Sequence, residues 1–350
     1  MPGAALQITS QQVLAFRAAA THLIHRLPTT AHEVAAWGGL QDTVPRAALT
    51  SLHARMQDVT PDSWEHASLW QIWFRMSDYV VPARDFGVFT VGALPRPSEL
   101  REPLVRVAEA VVDALDGRSL GSRDVASALA RRGGLGDRPH FGLREACAAG
   151  RYRIRWDART VTVIPAALPS IDAEEARREL ARRFLRWHGP GGAVRFATWA
   201  HLPPADALET FRQLAAELLP VTVNGDRRFV HAADERALRD AAAVPGVRFL
   251  MQGDPLLATD RELFEPPPAS VPEPVHDDLG HVVTPRLRNS LAGRVLLDGA
   301  FAGSWGRREH HLSVHLWRPL DPETHRRVLA EAESFAAPIG RPMQIHWLRS

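Results

Sequence analysis

Arg151, Arg153 and Arg155 alternate with Tyr152 and Ile154 in the run RYRIR. Strand side chains have a period of two, so the run predicts three guanidiniums on one face and two apolar groups on the other. Such a face can hold phosphate oxygens. It can equally be a solvated stripe that stops a sheet edge from pairing with another chain. Arg307-Arg308 follow Gly303-Ser304-Trp305-Gly306 at an expected hairpin tip and carry the same two readings. Gln41-Asp42-Thr43 stands just ahead of Val44-Pro45-Arg46. An Asp or Thr there reads as an N-cap for a helix starting near Pro45. If the triplet is extended, Gln41 and Thr43 face one way and Asp42 the other. His310-His311 with His315 invites a metal reading. Only His311 and His315 share a strand face, however, and no acid obviously pairs with them, so no metal site and no cofactor are expected.

The cation count excludes other chemistry. Lys+Arg is 42 in 350 residues, and every one is an arginine. Imine formation through a lysine amine and a P-loop lysine are therefore out. The formal charge is only +2, spread as 0, +3, +1 and −2 over residues 1–97, 98–168, 169–250 and 251–350. Any polyanion surface must come from local arginine placement rather than bulk charge. The one cysteine, Cys147, excludes a disulfide framework and reads as a buried helical residue. No apolar run reaches about 18 residues, and the N-terminus lacks a charged-then-apolar leader, so a cytoplasmic protein with no membrane span is expected. Trp64, Trp70 and Trp73 are expected in a core rather than stacked on bases. Arg177, Arg178, Arg182 and Arg183, interleaved with Glu174, Glu175 and Glu179, read as a salt-bridged solvated helix face.

The elements that must carry these groups come in rounds. Thr9 and Gln12 form a capping pattern ahead of a first helix. Short helices follow near 32–37, 46–56 and 61–67, then strands at 69–75 and 79–82. A second round has helices at 99–115, 122–131 and 138–149, with a hairpin over 151–164. A third has helices at 173–187, 194–200 and 205–218, then a hairpin closed by Asn224-Gly225. Helices followed by a two-stranded wing is the winged-helix order. The fold class is therefore α+β: three tandem winged-helix modules over 1–97, 98–168 and 169–250, with a β-rich region over 251–350. In that last region the Pro-rich run 264–274 reads as an extended loop.

Several stretches resemble one family. Gly39-Leu40-Gln41, Pro45-Arg46-Ala47 and Leu52-His53-Ala54-Arg55 resemble the start of the AlkZ-type DNA glycosylases of the HTH_42 winged-helix superfamily. Trp73–Arg75 with Val80-Val81-Pro82 and Asp85 resembles the family's first wing. His188-Gly189-Pro190 with Trp199, Asp254-Pro255 with Asp260-Arg261, and Leu296–Gly299 with Gly303-Ser304-Trp305 resemble later stretches, in order. The resemblance implies a C-shaped arrangement and hydrolysis of the N-glycosidic bond of an alkylated or bulky-adduct base. The substrate would be double-stranded, damaged DNA, and the protein a monomer associated with the nucleoid when bound. It also implies that Gln41, Asp42 and Thr43 are the catalytic triplet. The first glutamine matches; Thr43 stands where the family has Gln, Asp or Glu, and Tyr79 stands where its wing has a histidine. Gln41 and Thr43 can orient an attacking water, because a hydroxyl both donates and accepts. Asp42 can act as a base if its carboxylate turns into the site. The expected DNA contacts are Arg46, Arg55, Arg75, Arg151, Arg153, Arg155, Arg307 and Arg308. Two other readings use the same scaffold: a non-catalytic DNA-binding regulator or lesion sensor, and a protein-interaction module. Thr43 divides catalysis from binding alone: beside Gln41 it keeps hydrolysis open, whereas a hydroxyl that caps the next helix does not.

Overall fold

The structure, a computed structural model, describes residues 6–131, 139–260, 276, 282 and 292–348. The glycine run 133–136, Arg138, Arg261 and the Pro-rich run 264–274 lie outside them. The chain begins with β1 (Leu6–Ile8), α1 (Ser10–Ala20), α2 (His32–Ala35), β2 (Leu40–Gln41) and α3 (Ala47–Arg55). Thr9 and Gln12 close the capping box that starts α1. The first hairpin is β3 (Leu69–Phe74) and β4 (Ser77–Pro82), followed by α4 (Phe86–Phe89). Arg75 and Met76, both at positive φ, make its tight turn.

The next unit has α5 (Ser98–Leu115), β5 (Leu120–Gly121), α6 (Ser122–Arg131), α7 (Pro139–Ala146), β6 (Tyr152–Trp156) and β7 (Val161–Pro165). The third has α8 (Ala173–His188), α9 (Ala193–Ala200), α10 (Pro204–Gln213), β8 (Leu218–Val223), β9 (Asp226–His231) and α11 (Glu235–Arg239). The remainder is β10 (Val247–Leu250), β11 (Gly293–Leu297), β12 (Ala300–Arg308), β13 (His311–Leu316), α12 (Pro322–Glu333), α13 (Ala336–Ile339) and β14 (Gln344–Trp347). Helices followed by an antiparallel hairpin thus recur three times before a β-rich end.

The hairpins do not stay separate. Strands β2, β4, β3, β6, β7 and β5 lie in that order in one six-stranded sheet. The seam is antiparallel, with Gln71 of β3 opposite Ile154 of β6. Strand β6 is therefore internal, which removes the reading of its arginines as edge protection. In a second sheet, β1 pairs parallel to β8, tying the N-terminus to the third hairpin. The C-terminal sheet runs β10-β11-β12-β13-β14, with α12 packed on it.

One buried cluster joins the three units. Phe74 packs edge-on against Tyr79, Phe89 and Trp199, at 5.2, 5.5 and 5.4 Å between ring centres. Of the three tryptophans expected in a core, Trp64 and Trp73 are buried and Trp70 is partly buried against it. Cys147 is buried too, but on a 3-10 turn after α7 rather than within a helix. Helix α8 differs from expectation. Arg178 and Arg182 make the surface ion pairs, but Arg177 and Arg183 are buried. Arg183 reaches Asp85 at 3.0 Å and the Trp37 carbonyl at 2.8 Å, so α8 is clamped against the first unit on that side.

Candidate active site and DNA-contact residues

Short strand β2 aligns Gln41 with Tyr79 of β4. The chain then leaves the sheet through Thr43, Val44 and Pro45, all exposed, before α3 begins. Alternation holds across the triplet. The Gln41 Nε2 donates to the Thr43 hydroxyl at 3.1 Å. Asp42 points the opposite way and has no exposed surface. Its Oδ1 accepts from the Ala48 backbone N–H at 3.0 Å, and its Oδ2 accepts from the Gln71 side chain at 3.0 Å. Asp42 thus satisfies a first-turn N–H of α3 from outside the helix, whose N-cap residue is Arg46, and Thr43 does not. This corrects the assignment of Asp42 as a base: both oxygens serve the α3 terminus and β3. Burial pushes the Asp42 carboxyl up to about 7, against the pull of the Ala48 N–H, Arg46 and Gln71.

The wall behind Gln41 comes from a distant segment. A Cβ at Gly253 would stand 2.6 Å from Gln41 Oε1, and Gly253 has φ +87°. Only glycine lets this backbone approach the amide so closely. The neighbouring Asp254 anchors the segment. Its carboxylate takes both Nη groups of Arg55 at 2.7 and 2.8 Å and the Ser51 hydroxyl at 3.1 Å, all buried. Arg55 has no exposed surface, which corrects its assignment as a DNA contact. Farther along, Asp260 receives Arg17, Arg195 and Arg228, while Arg17 also donates to the Gly189 carbonyl at 2.8 Å and to that of His188. The acidic residues of the Asp254-Pro255 and Asp260 stretches are thus fasteners between segments.

The remaining arginines divide by what they touch. The Arg46 guanidinium lies 3.6 Å over the Trp64 ring, donates to the Trp156 carbonyl at 3.2 Å and sits 3.6 Å from Asp42. It holds the seam between the first two units while its side chain stays 21% exposed. Arg75 gives one Nη to the Tyr79 hydroxyl at 2.7 Å and lies 5.5 Å over Trp199. It lines an open cavity between the units and is held there by these two contacts. On β6, Tyr152 and Ile154 are buried and the arginines share the opposite face. Arg153 stacks on Trp70 at 4.9 Å, and Arg155 pairs with Glu65 at 2.7 and 2.9 Å. Arg307 and Arg308 end β12, beside the β12–β13 turn. Arg307 folds back to the Glu309 carbonyl at 2.6 Å, while Arg308 is exposed and reaches the Val282 carbonyl at 2.5 Å.

Gln71 carries no sequence signal of its role. It bridges Asp42 and the Trp156 N–H, the latter at 2.6 Å, across the sheet seam. Nothing in a strand reading LWQIWF marks it except one polar residue among apolar ones. His311 lies 3.2 Å from His346 through ring nitrogens, and no group of three or more metal-ligating side chains comes together among the described residues. No described helix is long and apolar enough to cross a membrane.

The chain matches a family of DNA glycosylases. The family described as DNA glycosylase AlkZ-like matches residues 34–337, and the chain belongs to it. Among solved structures, the fold is similar to that of Streptomyces sahachiroi DNA glycosylase AlkZ. The TM-score is 0.74 at 18% identity, covering 98% of this chain and all of that one. No curated protein matches the sequence.

Proposed function

We propose that the chain hydrolyses the N-glycosidic bond between a modified base and the sugar in double-stranded DNA, using water held by Gln41 and Thr43. One observation carries this reading: the Gln41 amide is hydrogen-bonded to the Thr43 hydroxyl on an exposed loop. That bond leaves the hydroxyl proton free to donate to a water. Among the described residues, the Gln41 carbonyl accepts no hydrogen bond, so it can take one from the same water. The water keeps a lone pair for the anomeric carbon. The transition state resembles an oxocarbenium ion, which a carbonyl dipole stabilises. A cationic N-alkylpurine leaves with little acid assistance. No lysine side chain exists to form an imine, which fits water as the nucleophile of this reading.

The inward turn of Asp42 favours a second reading. Without a carboxylate base beside the water, the scaffold serves as a non-catalytic DNA-binding lesion sensor. Under either reading the protein acts as a monomer in the cytoplasm, on the nucleoid. A glycosylase assay on duplexes carrying N-alkylpurines separates the two. Abasic product is expected from the wild type, with Gln41→Ala lowering the rate by about 10²-fold. Thr43→Ala should lower it less than Gln41→Ala, and Thr43→Gln should raise it. No product above background across a broad adduct panel leaves binding alone.

A further inference from the structure

A cavity of about 610 Å³ opens where the three helix–hairpin units meet. Ligand pockets for small molecules run to roughly 300–1,000 Å³. Trp73, Phe74 and Phe89 back its wall but are themselves buried, so the apolar surface it presents is mainly aliphatic. Leu100 of α5 and Val194 of α9 also line it, and they are 48% and 76% exposed. Two apolar side chains left in water beside an apolar hollow are what a ligand's apolar face would cover.

The cavity is also cationic. Arg75 and Arg144 line it, against a single carboxylate, Glu145. Arg75 gives one Nη to the Tyr79 hydroxyl, and Arg144 gives one Nη to the Met76 carbonyl at 3.1 Å. A guanidinium has five N–H donors, so each keeps donors for a further acceptor. Each is also held against a ring: Arg144 lies 5.9 Å over Trp73 and Arg75 lies 5.5 Å over Trp199. These contacts fix where the charge sits before anything binds.

We infer that this cavity binds a small molecule with an apolar body and one anionic group, its body against Leu100 and Val194 and its anion on Arg75 and Arg144. The inference does not rest on the glycosylase reading. The cavity adjoins that site, because Arg75 holds Tyr79, and Tyr79 is the strand partner of Gln41.

The test is calorimetric titration of the folded full-length protein with 8-anilino-1-naphthalenesulfonate, with uncharged N-phenyl-1-naphthylamine as the comparison. One saturable site is expected, weaker for the uncharged probe by about tenfold. Val194→Glu, at the exposed mouth, and Arg144→Met, which keeps the stem and removes the charge, should each weaken the sulfonate about tenfold. Circular dichroism and the melting temperature verify that both variants are folded. The inference is overturned by no saturable binding, by equal affinity for the two probes, or by variants that bind like the wild type. Sedimentation showing a dimer that Val194→Glu dissociates would assign the face to a second copy of this chain and overturn it equally.

Discussion

Asp42 turns its carboxylate away from the loop that carries Gln41 and Thr43, and its chemistry is that of a buried acceptor. In the folded chain its carboxyl titrates near 7, against an ordinary value of 3.8. Between those values the folded protein keeps a proton that the unfolded chain has released. Stability therefore falls as pH rises from about 4 to 7 and levels off above. Asn cannot ionise, but its amide nitrogen faces the Gln71 donor and loses that bond. Asp42→Asn should thus melt lower than the wild type at pH 5 and close the gap by at least about 3 °C at pH 8. A gap that stays constant with pH would mean that Asp42 is ionised throughout. The opposed directions of Gln41 and Asp42 were legible in the sequence, because strand alternation is a local rule. Arg55 was not legible: its partner Asp254 lies 199 residues away, and a surface arginine and a buried one look alike in a helix.

At the scale of elements, the rounds of helices and hairpins were readable from caps, prolines and turn pairs. Their pairing was not, since the β3–β6 seam and the β1–β8 pair join strands far apart in sequence. Short strands such as β2, β5 and β14 carry too few residues to show a period. The expected helix over 205–218 stops at Gln213 because the chain is recruited into β8 from Leu218. The joint between α3 and the 253–257 segment has the clearest energetic signature. Arg55 and Asp254 are both fully buried, so removing one partner strands the other charge. Asp254→Ala should cost about 3–5 kcal/mol by denaturant unfolding. Arg55→Met/Asp254→Leu together should recover much of that loss. If the single variant is within about 1 kcal/mol of wild type, water reaches the pair and the anchor behind Gln41 is weak.

At the scale of the whole molecule, a net charge of +2 over 350 residues leaves little for long-range attraction of DNA. Of the arginines that the sequence offers as contacts, Arg55 is locked inside the protein on Asp254, while Arg46 is held on Trp64 and Arg75 on Tyr79. The remaining set sits on the β6 face and beside the β12–β13 turn. Each phosphate neutralised releases condensed counterions and adds about −0.9 to the slope of log affinity against log salt. A shallow slope of about −3 to −5 is therefore expected for duplex DNA, because so few arginines remain. Arg151→Ala and Arg308→Ala should each make it shallower by about one. Arg212→Ala is the control, since Arg212 is an exposed arginine of α10 paired to Glu209 at 2.7 Å. It should leave the slope unchanged. Equal effects from all three would mean that DNA senses only the overall charge, and that neither the β6 face nor the β12–β13 hairpin is a docking surface.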